Sequence, residues 1–196
     1  NITFKHKDGD YDVLYCQYNS LEMGDSVIMQ GYGNSPGYGT LDGANTMSFQ
    51  VFGGINNDNR FSPLDNEALI TAMETAMPHG KEGFTMTFKS GHYSTICAGG
   101  RQTKEKLNGV MGTANMPVKC TITMDIDREW NDEHKSLNTQ GQYAHYDAGI
   151  IMAGNHEGAM FGDVDIIIRR GKVGRLVNGT LGAYRETNTT INAPYN

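Results

Sequence analysis

Four groups of side chains in this sequence have types and spacings suited to chemistry. Asp8, Asp10 and Asp12 alternate around Gly9. They offer oxygen ligands spaced as at the opening of a calcium loop; no cofactor is expected, and calcium is the one these residues could take. Val13, Leu14 and Tyr15 follow directly and read as strand, so a solvated turn is the plainer reading. Asp125, Asp127 and Glu129 would share one face if a strand ran through them, and paired carboxylates on a sheet face perform glycoside hydrolysis. Tyr143, His145 and Asp147 also alternate, with His156 close behind. Tyr and His together can abstract a sugar C5 proton and protonate a leaving oxygen, and His145, Asp147 and His156 are of metal-ligating types. Tyr32 and Tyr38 lie in the glycine-rich run Gly31–Gly39, where aromatic rings could stack on sugars. Trp130 and Tyr146 add two more aromatic side chains in predicted loops, and Tyr32, Tyr38, Trp130, Tyr143, His145 and Tyr146 form the candidate ligand-binding set.

Several classes are disfavoured. The formal net charge is −6. Strand alternation spreads the densest basic cluster, Arg169, Arg170, Lys172 and Arg175, over two faces, so no nucleic-acid partner is expected. No run approaches the length of a membrane-spanning helix. There is no Ser/His/Asp signature, phosphate-binding loop or nucleotide fingerprint. No signal peptide or initial Met is present, which suggests a processed chain or an excised fragment. The sequons at Asn1, Asn178 and Asn188 permit an extracellular life. Cys16, Cys97 and Cys120 are expected as buried free thiols.

The elements that must position these residues are mostly strands. Candidates are Asp12–Tyr18, Ser26–Gln30, Thr46–Phe52, Gly83–Lys89, Ser94–Ala98, Val118–Asp125, Ala148–Ala153, Val164–Arg169 and Val173–Val177. Arg170-Gly171-Lys172 reads as a turn and Asn178-Gly179 as a hairpin. One helix, about 63–77, is predicted. Ser62 caps it, Pro63 opens it, Pro78 and Gly80 stop it, and Ala68, Ala72 and Ala76 line its inner face. No internal repeat is apparent. The expected architecture is a mainly β, antiparallel β-sandwich or jelly roll with that one flanking helix. It forms a single domain over 1–196, with long loops at 99–117 and 127–146.

Three short resemblances accompany this reading. Asp163, Arg169, Gly171, Val177, Asn178 and Gly179 resemble the closing hairpins of concanavalin A-like and laminin-G-like sandwiches. That resemblance implies a lectin-like fold and carries over no functional residue. Asp125-Ile-Asp-Arg-Glu129 is similar to the signature of laminarinase-like glycoside hydrolases, departing at its first position and placing its third acid one residue early. Phe88-Lys-Ser-Gly-His-Tyr93 is similar to a segment of jelly-roll alginate lyases whose Tyr is the acid/base, although the rest of that family's pattern is missing.

The functional expectation is a non-enzymatic, extracellular or virion-surface module that binds a glycan or cell-surface partner. The alternatives are a self-assembling structural subunit (capsid, tail-tube or filament protein, a homo-oligomer) and a polysaccharide lyase or glycosidase.

Overall fold

Among the described residues, consecutive strands do not pair with one another. The computed structural model describes residues 2–5, 13–30, 49–57, 67–102, 112, 116–134, 146–156, 160–179 and 186–192. In chain order the elements are β1 (Ile2–Lys5), β2 (Val13–Tyr15), β3 (Leu21–Met23), β4 (Val27–Gln30), β5 (Gln50–Phe52), β6 (Asn56–Asn57), α1 (Glu67–Ala76), α2 (His79–Glu82), β7 (Phe84–Phe88), β8 (Tyr93–Cys97), β9 (Arg101–Gln102), β10 (Val118–Asp125), α3 (Arg128–His134), β11 (Ala148–Met152), β12 (Phe161–Arg170), β13 (Val173–Val177) and β14 (Glu186–Asn192). One five-stranded sheet runs β2-β5-β8-β11-β13 and the other β3-β7-β10-β12-β14. Every described strand pair is parallel. Strand order in each sheet therefore equals chain order, and the chain alternates between sheets. It winds as five coils, β2–β3, β5–β7, β8–β10, β11–β12 and β13–β14, stacked along one axis as a β-solenoid.

This corrects the expected antiparallel β-sandwich or jelly roll. All nine predicted strand segments contain strand, but alternation reports which face is buried and says nothing about a neighbour's direction. Arg170-Gly171-Lys172 and Asn178-Gly179 are not hairpins. Each is a corner carrying the chain from one sheet to the other. The single predicted helix is found as α1, with α2 and α3 besides. Ser62 and Pro63 lie outside the described residues. Ala68, Ala72 and Ala76 are exposed, contrary to the inner face expected for them. A lone methyl group gains little from burial, so an alanine stripe fixes a helix face weakly. No helix among the described residues is long and apolar enough to cross a membrane.

Register stacks like on like. In the first sheet Leu14, Val51, Ile96, Ile151 and Leu176 are Cα partners from coil to coil. In the second sheet the corresponding column is Leu21, Met86, Ile122, Ile166 and Ile191. Most of these side chains fill the interior, where Val51, Met86, Ile96, Ile122, Ile151 and Ile166 are fully buried. The outer face of the second sheet is more polar, and β10 alternates buried Val118, Cys120, Ile122 and Met124 with more exposed neighbours. The central strands of the first sheet are buried throughout. Phe52, Cys97, Ile150 and Met152 form a second apolar cluster there. Parallel strands covered on both faces read as continuous apolar runs, as in Ala148-Gly-Ile-Ile-Met152.

The corners leaving the first sheet stack on glycine. Gly54, Gly99, Gly154 and Gly179 form a column in which each N–H donates to the next carbonyl, at 2.9, 3.0 and 2.8 Å. A Cβ on Gly99 would collide with Asn155 Oδ1 and come within 2.9 Å of the Gly154 carbonyl. A Cβ on Gly54 would sit 2.8 Å from Gly100 N. Backbones approach at this corner more closely than side chains allow.

Gly99→Ala should destabilise the fold by about 1–3 kcal/mol in chemical denaturation. Gly24→Ala, where a Cβ meets nothing within 4 Å, should change it by less than about 0.5 kcal/mol. The three cysteines are free. Burial pushes the Cys16 thiol up to about 11 and the Cys97 thiol to about 12, from 9.0. The unfolded chain thus releases thiol protons that the folded chain retains. The thiol contribution should be constant below about pH 9 and fall as pH rises toward 11–12. Denaturation midpoints compared across that window, with Cys97→Ala reducing the slope, would check it.

Candidate ligand-binding corner

The opposite corner, leading from the second sheet back to the first, carries the described members of the predicted site. After β10 the chain enters α3 instead of turning directly into β11. Asp127 starts that helix: its Oδ1 accepts the Glu129 and Trp130 N–H groups at 3.0 and 3.2 Å. Its carbonyl accepts the Asn131 N–H at 3.0 Å. Asp125 ends the strand and Glu129 lies in the helix, so the three acids do not line one strand face. Arg170 engages two of them, donating through Nε to Asp125 and lying 3.7 Å from Asp127.

Asn131 joins the helix to the coils. Its Oδ1 accepts the Gly91 N–H, and its Nδ2 donates to the Gly91 carbonyl and to Asp147 Oδ1, each at 2.8 Å. Asp147 Oδ2 accepts the Lys172 N–H at 2.7 Å, and His92 Nε2 lies 3.8 Å from Oδ1. Around these side chains the backbone closes as well. Tyr93 N–H donates to the Asp147 carbonyl and Asp147 N–H to the Lys172 carbonyl, both at 2.8 Å. Asn131, Asp147 and His92 are each at most 5% exposed. Gly91, Asp147 and Lys172 belong to three successive corners, so one buried knot spans three coils.

Outside the knot the side chains are aromatic and cationic. The Trp130 and His134 rings stack at 3.7 Å between centroids with 18° between planes, and His134 Nδ1 lies 2.9 Å from the Trp130 carbonyl. Trp130 Nε1 is buried and has no hydrogen-bond partner. Lys172 Nζ sits 5.1 Å from the centre of the Tyr146 ring. The same ring lies against Gly174, where a Cβ would come within 3.2 Å of it. Trp130 and Tyr146 each neighbour a partner in the Asn131–Asp147 bond, so both are mounted on the knot.

The remaining predicted positions fare differently. Tyr32, Tyr38, Tyr143, His145, Asp8, Asp10 and Asp12 lie outside the described residues. His156 leaves β11 at the corner opposite Asp147, against the Phe52 ring, so these two do not converge on a metal. Tyr93, the acid/base position by resemblance, is fully buried. Its hydroxyl donates to the Ser90 carbonyl at 2.7 Å, and burial holds its pKa well above the ordinary phenol value. Ser90, His92 and Asp147 share this corner, but Ser90 Oγ accepts the Val27 N–H and donates to the Gly24 carbonyl, which is structural bonding. Sequence reasoning missed Asn131, His92, Lys172 and His134. The signal available for α3 was Asp127 placed to cap a run ending in His134.

Comparison of the chain with protein-family models, curated proteins and solved structures finds no match.

Asn131→Ala should cost more than about 2 kcal/mol in denaturant unfolding, because it strands a buried N–H, a carbonyl and a carboxylate together. Arg128→Ala, on the exposed side of the same helix, should cost less than about 0.5 kcal/mol.

Proposed function

We propose that the chain is a non-enzymatic binding module, extracellular or on a virion surface, whose solenoid presents this corner to a glycan. The carrying observation is the mounting of Trp130 and Tyr146 on the buried Asn131–Asp147 bond. Aromatic side chains held by a rigid scaffold make contact area at low entropic cost. The lyase and glycosidase alternatives draw less support. Asp125 and Asp127 are engaged by Arg170, Asp147 is held by two donors, and Tyr93 is sealed from solvent.

The test uses the single tryptophan as its own probe. A glycan-array hit, titrated in solution, should shift the intrinsic tryptophan emission. Trp130→Ala should weaken binding at least about tenfold, while circular dichroism stays that of the parent. An array with no hit, or undiminished affinity in the variant, would remove the corner from consideration.

A further inference from the structure

The last described coil leaves the interior open. Leu176 occupies the column of Leu14, Val51, Ile96 and Ile151. The three middle members are fully buried, whereas Leu176 is 37% exposed and is the one large hydrophobic residue among those described to be exposed. β13 and β14 each have a strand partner on one side only among the described residues. Terminal repeats of soluble solenoids ordinarily carry a polar outer layer. Here, among the described residues, no strand covers that interior position.

We propose that this end binds the first coil of a second copy of the chain, head to tail. Polarity favours that occupant. Within each sheet the strands are parallel, so β2 and β3 of another copy would arrive in the directions that the strands of a sixth coil would take. Residue class agrees too. Continuing the register sets Leu176 beside Leu14 and places Ile191 over Leu21. Leu14 and Leu21 are only partly buried in their own coil, where they pack on the core. Net charge is complementary between the two end coils as well. Residues 13–30 contain Glu22 and Asp25 and no Lys or Arg, whereas 171–192 contain Lys172, Arg175 and Arg185 against the single acid Glu186. A heterologous contact of this kind extends into filaments unless rotation closes a ring.

Light scattering over a concentration series of the intact chain should show mass rising beyond a dimer, and Leu176→Lys should weaken association at least about tenfold with unchanged circular dichroism. Oxidation of the double variant L14C/L176C should give a disulfide-linked ladder of multimers, because neighbouring parallel strands bring Cα atoms within disulfide reach. Each single variant should give no ladder, and the parent, which keeps its three native cysteines, should give none under the same conditions. A constant monomer mass at every concentration overturns the proposal. So does a double variant linked only in pairs through position 176, which would mean tail-to-tail contact. Glycan binding is read separately at the corner, so failure of either reading leaves the other standing.

Discussion

The structure depends on one constraint: each coil must offer its neighbours the same class of side chain at the same register position. Parallel stacking places residues of successive coils directly beside one another, so a column is as sound as its worst member. Columns such as Leu21, Met86, Ile122 and Ile166 satisfy this with aliphatic and thioether side chains, which pack without polar atoms to satisfy. The constraint also says where sequence may be added. A strand cannot lengthen by one residue without turning its interior face outward. Insertions are therefore confined to corners, and the four longest connections between strands of the two sheets, 24–49, 53–83, 98–117 and 126–147, all begin and end there. The elements able to meet a partner are thus displayed by a scaffold that they do not shape.

How much of this was legible follows from the same geometry. Strand positions were, because one-sided burial leaves a period of two, as in Val164, Asp165 and Ile166. Direction was not, because a parallel and an antiparallel neighbour both reward that period. The repeat was hidden by uneven spacing: the equivalent residues Leu14, Val51, Ile96, Ile151 and Leu176 are 37, 45, 55 and 25 residues apart. A search for a fixed period cannot find it. The local signature does persist, as an apolar pair leading into glycine: Val51-Phe-Gly-Gly, Ile96-Cys-Ala-Gly-Gly, Ile151-Met-Ala-Gly and Leu176-Val-Asn-Gly179. Read together, those four glycines mark the corner column. Of the candidate site, Trp130, Tyr146 and Asp147 were visible as residue types. The Asn131 bond that joins α3 to Asp147 was not, because no periodic pattern links residues 16 apart in one connection, and the other partner of Asn131, Gly91, is 40 residues away.

The corner also shows how burial decides what a polar group can do. Asp147, His92 and Ser90 have the chemical types of a hydrolytic set, and proximity alone would suggest one. Their hydrogen bonds point elsewhere. Asp147 holds a backbone N–H of the next corner, and Ser90 Oγ ties Val27 to Gly24. A buried carboxylate is tolerated where donors surround it, and here the donors are parts of three coils. The group stabilises a joint between turns of the solenoid, and the reactive potential is spent in doing so.

Apolar columns settle only half of the register problem. A slip of one residue exposes the core, but a slip of two would leave Val118, Cys120, Ile122 and Met124 facing apolar partners still. Something else must exclude it. On the outer rim of the second sheet, Glu22, Lys89, Asp125 and Arg170 stack in alternating sign through four successive coils. Lys89 is drawn to Glu22 and senses Asp125, and Arg170 is held by Asp125, which raises both cationic pKa values. These pairs are solvent-exposed, so their worth lies in matching partners more than in stability. A two-residue slip of β12 would take Arg170 off Asp125, and one of β11 would move a side-chain-bearing residue toward the Gly154 place in the corner column, where neighbouring backbones leave no room for a Cβ. The interior thus fixes which face of each strand points inward, and the charged rim and glycine corner fix how far along its neighbour each strand lies.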